Sequence, residues 1–184
     1  MTETPQLPAT TIANYCYVGM FENCSSLTKA PQLPATTLTD YCYTGMFENC
    51  SSLTEAPELP ATTIADYCYY YMFSGCSSLT KAPQLPATTL AEYCYAKMFE
   101  SCISLTEAPE LRASILTDYC YMEMFRSCKS LQNITMLAVD ISAKDCLKNW
   151  VMGVSETGSF VKSRFLDIPR WSHGIPVLWV SISI

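Results

Sequence analysis

Eleven cysteines fall on two arithmetic series. One runs Cys16, Cys42, Cys68, Cys94, Cys120, Cys146 and the other Cys24, Cys50, Cys76, Cys102, Cys128, each stepping by 26 residues with no cysteine left over. Leu7, Leu33, Leu59, Leu85, Leu111 and Leu137 keep the same step, as do the Met-Phe pairs that begin at Met20, Met46, Met72, Met98 and Met124. A unit this short cannot bury an apolar face alone, so its copies must stack and cover one another. The chain is therefore expected to be a solenoid, and that expectation outranks any local motif.

The third copy, residues 57–80, divides into two halves. Ile64, Cys68, Met72 and Cys76, with Phe73 beside them, make an apolar stripe at a spacing of four, which predicts a helix over residues 64–76. Thr63 stands where an N-cap belongs, Asp66 follows three residues on, and Thr89 with Glu92 matches a capping box in the next copy. Ser77 and Ser78 end the helix. The segment 79–85 carries prolines, which lack the amide proton a central ladder uses, so only a brief strand fits there. The expected fold class is α/β: a solenoid with one short parallel strand and one short helix per 26-residue coil. At about 4.8 Å per coil, five coils would reach about 24 Å.

Composition agrees with a buried stack. The chain is 49% hydrophobic and 15% charged, against roughly 25% charged in a typical soluble domain, so apolar surface must be covered in a core or an interface. A net charge of −6 without clustered Lys and Arg argues against a nucleic-acid partner. No apolar run reaches the 18 or so residues of a membrane span, so no membrane insertion is expected. Residues 1–6 have neither the basic start nor the apolar run of a secretory signal.

The run Met46-Phe47-Glu48-Asn49-Cys50-Ser51-Ser52-Leu53 followed by Leu59-Pro60 resembles the leucine-rich repeats of BspA-like bacterial surface proteins, and five-fold repetition carries the likeness over residues 5–131. The period of 26 is longer than that family's usual one, with an extra residue between Leu53 and Leu59. The tail, with Trp150-Val151, Gly158-Ser159-Phe160 and Gly174-Ile175-Pro176, resembles the closing segment of such arrays. The resemblance implies a right-handed leucine-rich repeat solenoid with strands on one face and helices on the other. It further implies a cell-surface or secreted, adhesin-like protein that binds rather than catalyses.

The cysteines sit at stripe positions, where small core hydrophobes are the default. A spacing of eight within each repeat does not suit zinc, and thiols stacked in parallel rarely reach disulfide geometry. Tyr15, Tyr41, Tyr67, Tyr93 and Tyr119 form one further column and Tyr17 to Tyr121 another. Both are expected on the shoulders of the helical face with polar tips in water, serving either as a packing ladder or as an exposed aromatic ridge for a ligand.

On the strand face Lys29, Glu55, Lys81 and Glu107 alternate in sign, and Gln32, Glu58, Gln84 and Glu110 alternate neutral with acidic. Like charges on adjacent strands repel, so neighbouring coils are expected to pair Lys with Glu. The same eight residues are the candidate ligand-binding surface, since solenoids bind partners over such faces.

No chemistry is legible elsewhere. His173 is the only histidine, and no phosphate-cradling or nucleophile motif occurs. Glu55/Glu58 and Glu107/Glu110 are two coils apart, about 10 Å by strand spacing, too far to share an ion. Neither enzymatic activity nor a metal or other cofactor is expected. Residues 1–131 are read as the repeat array and 132–184 as a divergent last coil with its cap. There Trp150 replaces Met in a sixth helix opened by Ser142, and short strands follow near Phe160 and Trp179. The first coil lacks a comparable cover, so the chain is expected to be part of a longer protein or to self-associate through that coil. The expected function is a non-enzymatic module for a protein or glycan ligand; the alternative is a structural spacer, or the receptor-binding part of a larger surface or phage-fibre assembly.

Overall fold

A computed structural model describes residues 4–170 and 173–184. Among them there is no helix, and the only strands are β1 (Asn133–Met136), β2 (Ser159–Lys162) and β3 (Val180–Ser183), all parallel in one sheet of order β1-β2-β3. The expected α/β leucine-rich repeat solenoid, with a helix in each coil, is therefore overturned.

Residues 64–76 form linked tight turns instead. The amides of Cys68, Met72 and Cys76 each donate three residues back, to the carbonyls of Ala65, Tyr69 and Phe73, at 3.1–3.3 Å. In each of these turns the third residue has positive φ: Tyr67 at 56°, Tyr71 at 57° and Gly75 at 73°. A left-handed residue at every fourth position ends any right-handed helix, and it is what a turn with φ > 0 at its third residue requires. The amides of Tyr67, Tyr69, Tyr71, Phe73 and Gly75 point out of the coil and donate to Glu92, Cys94, Ala96, Met98 and Glu100 of the next, at 2.8–3.2 Å. Alternate amides thus close turns and link coils, so the donors of residues 67–76 are satisfied without a helix.

The cap assignments fail for the same reason. The Thr63 carbonyl accepts from the Leu38 amide of the preceding coil, and Asp66 Oδ1 accepts the Glu92 amide at 2.9 Å, so Asp66 bridges coils rather than closing a helix. The expected sixth helix is also turns, with positive φ at Asp145, Asn149 and Gly153. The brief strand of each copy contracts to single bridges, running Lys29 to Glu55 to Lys81 to Glu107 to Asn133.

The core is a set of columns. Cys68, Met72, Cys76, Tyr69 and Phe73 are buried with their equivalents in neighbouring coils, and Leu53, Leu79 and Leu105 close the opposite side. Phe21, Phe47, Phe73, Phe99 and Phe125 stack at 5.5–5.7 Å between centroids. Thiols of the second cysteine series add a backward link: Cys50, Cys76, Cys102 and Cys128 donate from Sγ to the carbonyls of Phe21, Phe47, Phe73 and Phe99 at 3.0–3.1 Å.

At the far end Trp150 enters the Met column and is fully buried between Phe125 and Phe160. Its indole N–H donates to the Gly174 carbonyl, and Trp179 donates to Ser155 at 2.8 Å. These two indoles tie the tail, with β2 and β3, over the last coil.

Candidate functional site

The first four copies carry Pro at both ends of a Pro-x-Leu-Pro run, at residues 5–8, 31–34, 57–60 and 83–86, and in the fifth Arg112 stands in place of the second Pro. The proline nitrogens cannot donate, so adjacent runs lie side by side without the bond ladder of the turn side. Space opens between them. A groove of about 690 Å³ lies between the third and fourth copies, lined by Glu55, Pro57, Glu58, Pro60, Lys81 and Gln84 among others. A second, of about 360 Å³, is lined by Lys29, Pro31, Gln32, Pro34, Glu55 and Glu58. Glu55 and Glu58 border both, so six of the eight candidate strand-face residues meet at one pair of grooves.

Glu107 and Glu110 border neither groove. Glu107 continues the bridge ladder, while Glu110 is held by Arg112 at 2.9 Å. Lys29, Glu55, Lys81 and Glu107 are neighbours on the ladder and all exposed, yet no ion pair closes among them. The expected Lys–Glu pairing between coils is therefore not made, and these charges face water. Their alternation still keeps like charges from adjacent positions. The flanking prolines are the site residues that sequence reasoning passed over as strand breakers; their strict recurrence beside Gln32, Glu58 and Gln84 was the available signal.

The tyrosine columns part company. Tyr43, Tyr69, Tyr95 and Tyr121 are buried in the core, which corrects their expected place on a water-facing shoulder. Tyr15, Tyr41, Tyr67, Tyr93 and Tyr119 stack face to face at 4.4–4.8 Å. Lys144 closes the far end of this stack, its ammonium 5.1 Å from the Tyr119 ring centroid. Burial, with the neighbouring Tyr93, Tyr41, Glu92 and Asp66, pushes the Tyr67 hydroxyl up to about 12. Inside the stack each ring face is taken by another ring, so a ligand there would meet edges and hydroxyls; Tyr15, at 64% exposure, lies at the open end.

A charged network on the turn side was not foreseen. Lys97 reaches the Tyr71 hydroxyl at 2.7 Å and Glu123 at 3.4 Å, and Arg126 bridges Glu123 and Glu100. Burial would raise the Glu123 carboxyl, but Arg126 and Lys97 hold it below the usual range. Three coils away from Glu123 the balance reverses: burial, with Glu22 and Glu100 nearby, raises Glu48. The network links side chains of three successive coils, over two steps of the stack, and its charges are consumed internally.

Nothing in either place is arranged for covalent chemistry. His173 stands 3.7 Å from Asp145, and among the described residues no group of three His, Cys, Asp or Glu is placed to hold a metal. All eleven cysteines are free thiols, and burial lifts those of Cys42 and Cys50 to about 11, away from nucleophilic use. Among the described residues no helix is long and apolar enough to cross a membrane. Comparison with family models, curated proteins and solved structures gave no match, the BspA-like repeats included.

Proposed function

We propose that the chain is a non-enzymatic binding module, taking a protein or glycan ligand on its proline-bearing face, as a bacterial surface or secreted adhesin-like protein would. The observation that carries the reading is the coincidence of the two grooves with Lys29, Gln32, Glu55, Glu58, Lys81 and Gln84. Apolar proline walls with a few polar groups at the rim are the make-up of a recognition surface. The turn side, by contrast, spends its backbone donors on the neighbouring coil.

A glycan array and a panel of immobilised proteins, probed with the parent chain and with Glu58→Lys, test the reading. Glu58 is exposed and outside every ion pair, so the variant should fold as the parent and lose its hits. Hits unchanged by Glu58→Lys would move the site off this face.

A second reading, a structural spacer that extends an assembly by stacking, draws on the end of the turn ladder. Within the described residues the carbonyls of Asn14, Cys16, Val18, Met20 and Glu22, which match the acceptor positions of later coils, receive no donor. Tyr15, Val18 and Met20 are exposed beside them. Self-association through the first coil would fill these positions. Light scattering on the parent and on Met20→Lys separates this from ligand binding on the proline face.

A further inference from the structure

We propose that the partner accepted by the proline-bearing face is a second copy of this chain, laid against it with the stack reversed; the proposal rests on that face being the binding surface. The argument comes from the order of charges. Down one column the exposed side chains are Lys29, Glu55, Lys81 and Glu107, successive along a bridge ladder. Reversed, the column reads Glu107, Lys81, Glu55, Lys29. Four alternating charges set against their own reversal give Lys29 opposite Glu107 and Glu55 opposite Lys81, then the same two pairs again, with no like charges facing.

The second column obeys the same rule. Gln32, Glu58, Gln84 and Glu110 against their reversal place every carboxylate opposite an amide, which can donate to it. A single two-fold axis does both. It lies between the two faces, at right angles to the stack, midway between the coils of Glu55 and Lys81, and carries each column onto itself. A C2 contact requires this self-complementarity of one patch. Laying the copies in the same direction would instead oppose Lys with Lys and Glu with Glu, which is the arrangement the pattern rejects.

The charges are available because among the described residues no ion pair uses Lys29, Glu55, Lys81 or Glu107. The patch is small: its four coils lie about 14 Å apart from first to last at strand spacing. That falls well short of the roughly 800 Å² per partner of a standard stable interface, so the dimer is weak, reversible and sensitive to salt.

Sedimentation velocity on the full chain, over a concentration series at low and at high salt, is the first measurement. A reversible dimer that salt weakens is expected. Glu55→Lys or Lys81→Glu alone sets like charges together at two symmetry-related places and should weaken association by about tenfold or more. Glu55→Lys with Lys81→Glu restores opposite signs and should recover it. All three keep the surface exposed, and circular dichroism checks that each is folded. Carbodiimide cross-linking should join Lys29 to Glu107, a link beyond reach within one chain.

A chain that stays monomeric, a double variant that fails to recover, or a dimer lacking the Lys29–Glu107 link would each overturn the proposal. A monomer whose array hits vanish in Glu58→Lys overturns the dimer and leaves the binding face standing; a monomer without hits overturns both.

Discussion

Replacing Gly45 with Ala has opposite signs in a helix and in the observed turns. In a helix interior Ala is better than Gly by about 1 kcal/mol, so the change would stabilise. In the structure Gly45 has φ of 59°, and the left-handed region costs an L residue about 1–2 kcal/mol. The added methyl itself fits, its nearest neighbour being Glu48 Oε2 at 3.4 Å. Part of the backbone cost is returned because Ala has fewer unfolded conformations. The net expectation is destabilisation of about 1 kcal/mol, or about 2–4 °C in melting temperature for a chain of this size. Gly75→Ala goes further. Its φ is 73° and the new methyl would lie 2.3 Å from Asn49 Oδ1, whose amide donates to Asn23 at 3.1 Å. Displacing Asn49 forfeits that bond, about 1 kcal/mol more. Thermal unfolding of Gly45→Ala, Gly75→Ala, Asn49→Ala and the double variant Gly75→Ala/Asn49→Ala measures both parts. In the Asn49→Ala background the Gly75 change should cost only what it costs at Gly45. A stabilising Gly45→Ala would refute the turn account outright.

Two further outcomes follow from burial. Cys16 and Cys24 are the only thiols that are not fully buried, so iodoacetamide on the native chain should label two sites by mass spectrometry and the other nine only after unfolding. Uniform labelling of all eleven would show that the columns are not closed. Glu48 has a carboxyl raised in the folded chain by burial and by Glu22 and Glu100, so the folded state holds its proton to higher pH than the unfolded state does. Its stabilising contribution is complete below the ordinary Glu range and is lost as pH rises through the raised value. Glu48→Gln should therefore increase the melting temperature at pH 7 and change it little at pH 4; an equal effect at both would exclude titration as the cause.

The period of 26 and the buried columns were legible because identical residues at a fixed step can only be neighbours between coils. The path within a coil was misread at Ile64, Cys68, Met72 and Cys76. Four residues advance a helix by about 400°, so a strict spacing of four drifts about 40° at each step and leaves its own stripe. Linked four-residue turns return the same side chain inward every time. Gly45, Asn49 and Gly75 at the positive-φ positions were a second sign, since Gly and Asn are the residues that enter the left-handed region most readily. Tyr67 and Tyr71 at equivalent positions hid it.

The site was legible by column but not by shape, and the cause lies in how the two sides of a coil meet their neighbours. On the turn side alternate amides reach the next coil, and the bond ladder presses Phe73 onto Phe99 and Tyr67 onto Tyr93. Side chains there are committed to the stack. On the other side Pro57, Pro60, Pro83 and Pro86 have no amide to give, so coils touch at single bridges such as Glu55 to Lys81, and the space between becomes a groove. The residue that weakens the sheet is thus the one that frees Glu58 and Gln84 to face a partner. It follows that replacing Pro60 and Pro86 by Thr, which restores two donors, should tighten the coils and narrow the groove. Slower amide exchange over residues 55–61, together with weaker binding on the array or weaker dimerisation, is the expected result. Exchange unchanged by the two substitutions would mean that something other than the missing amides holds the groove open.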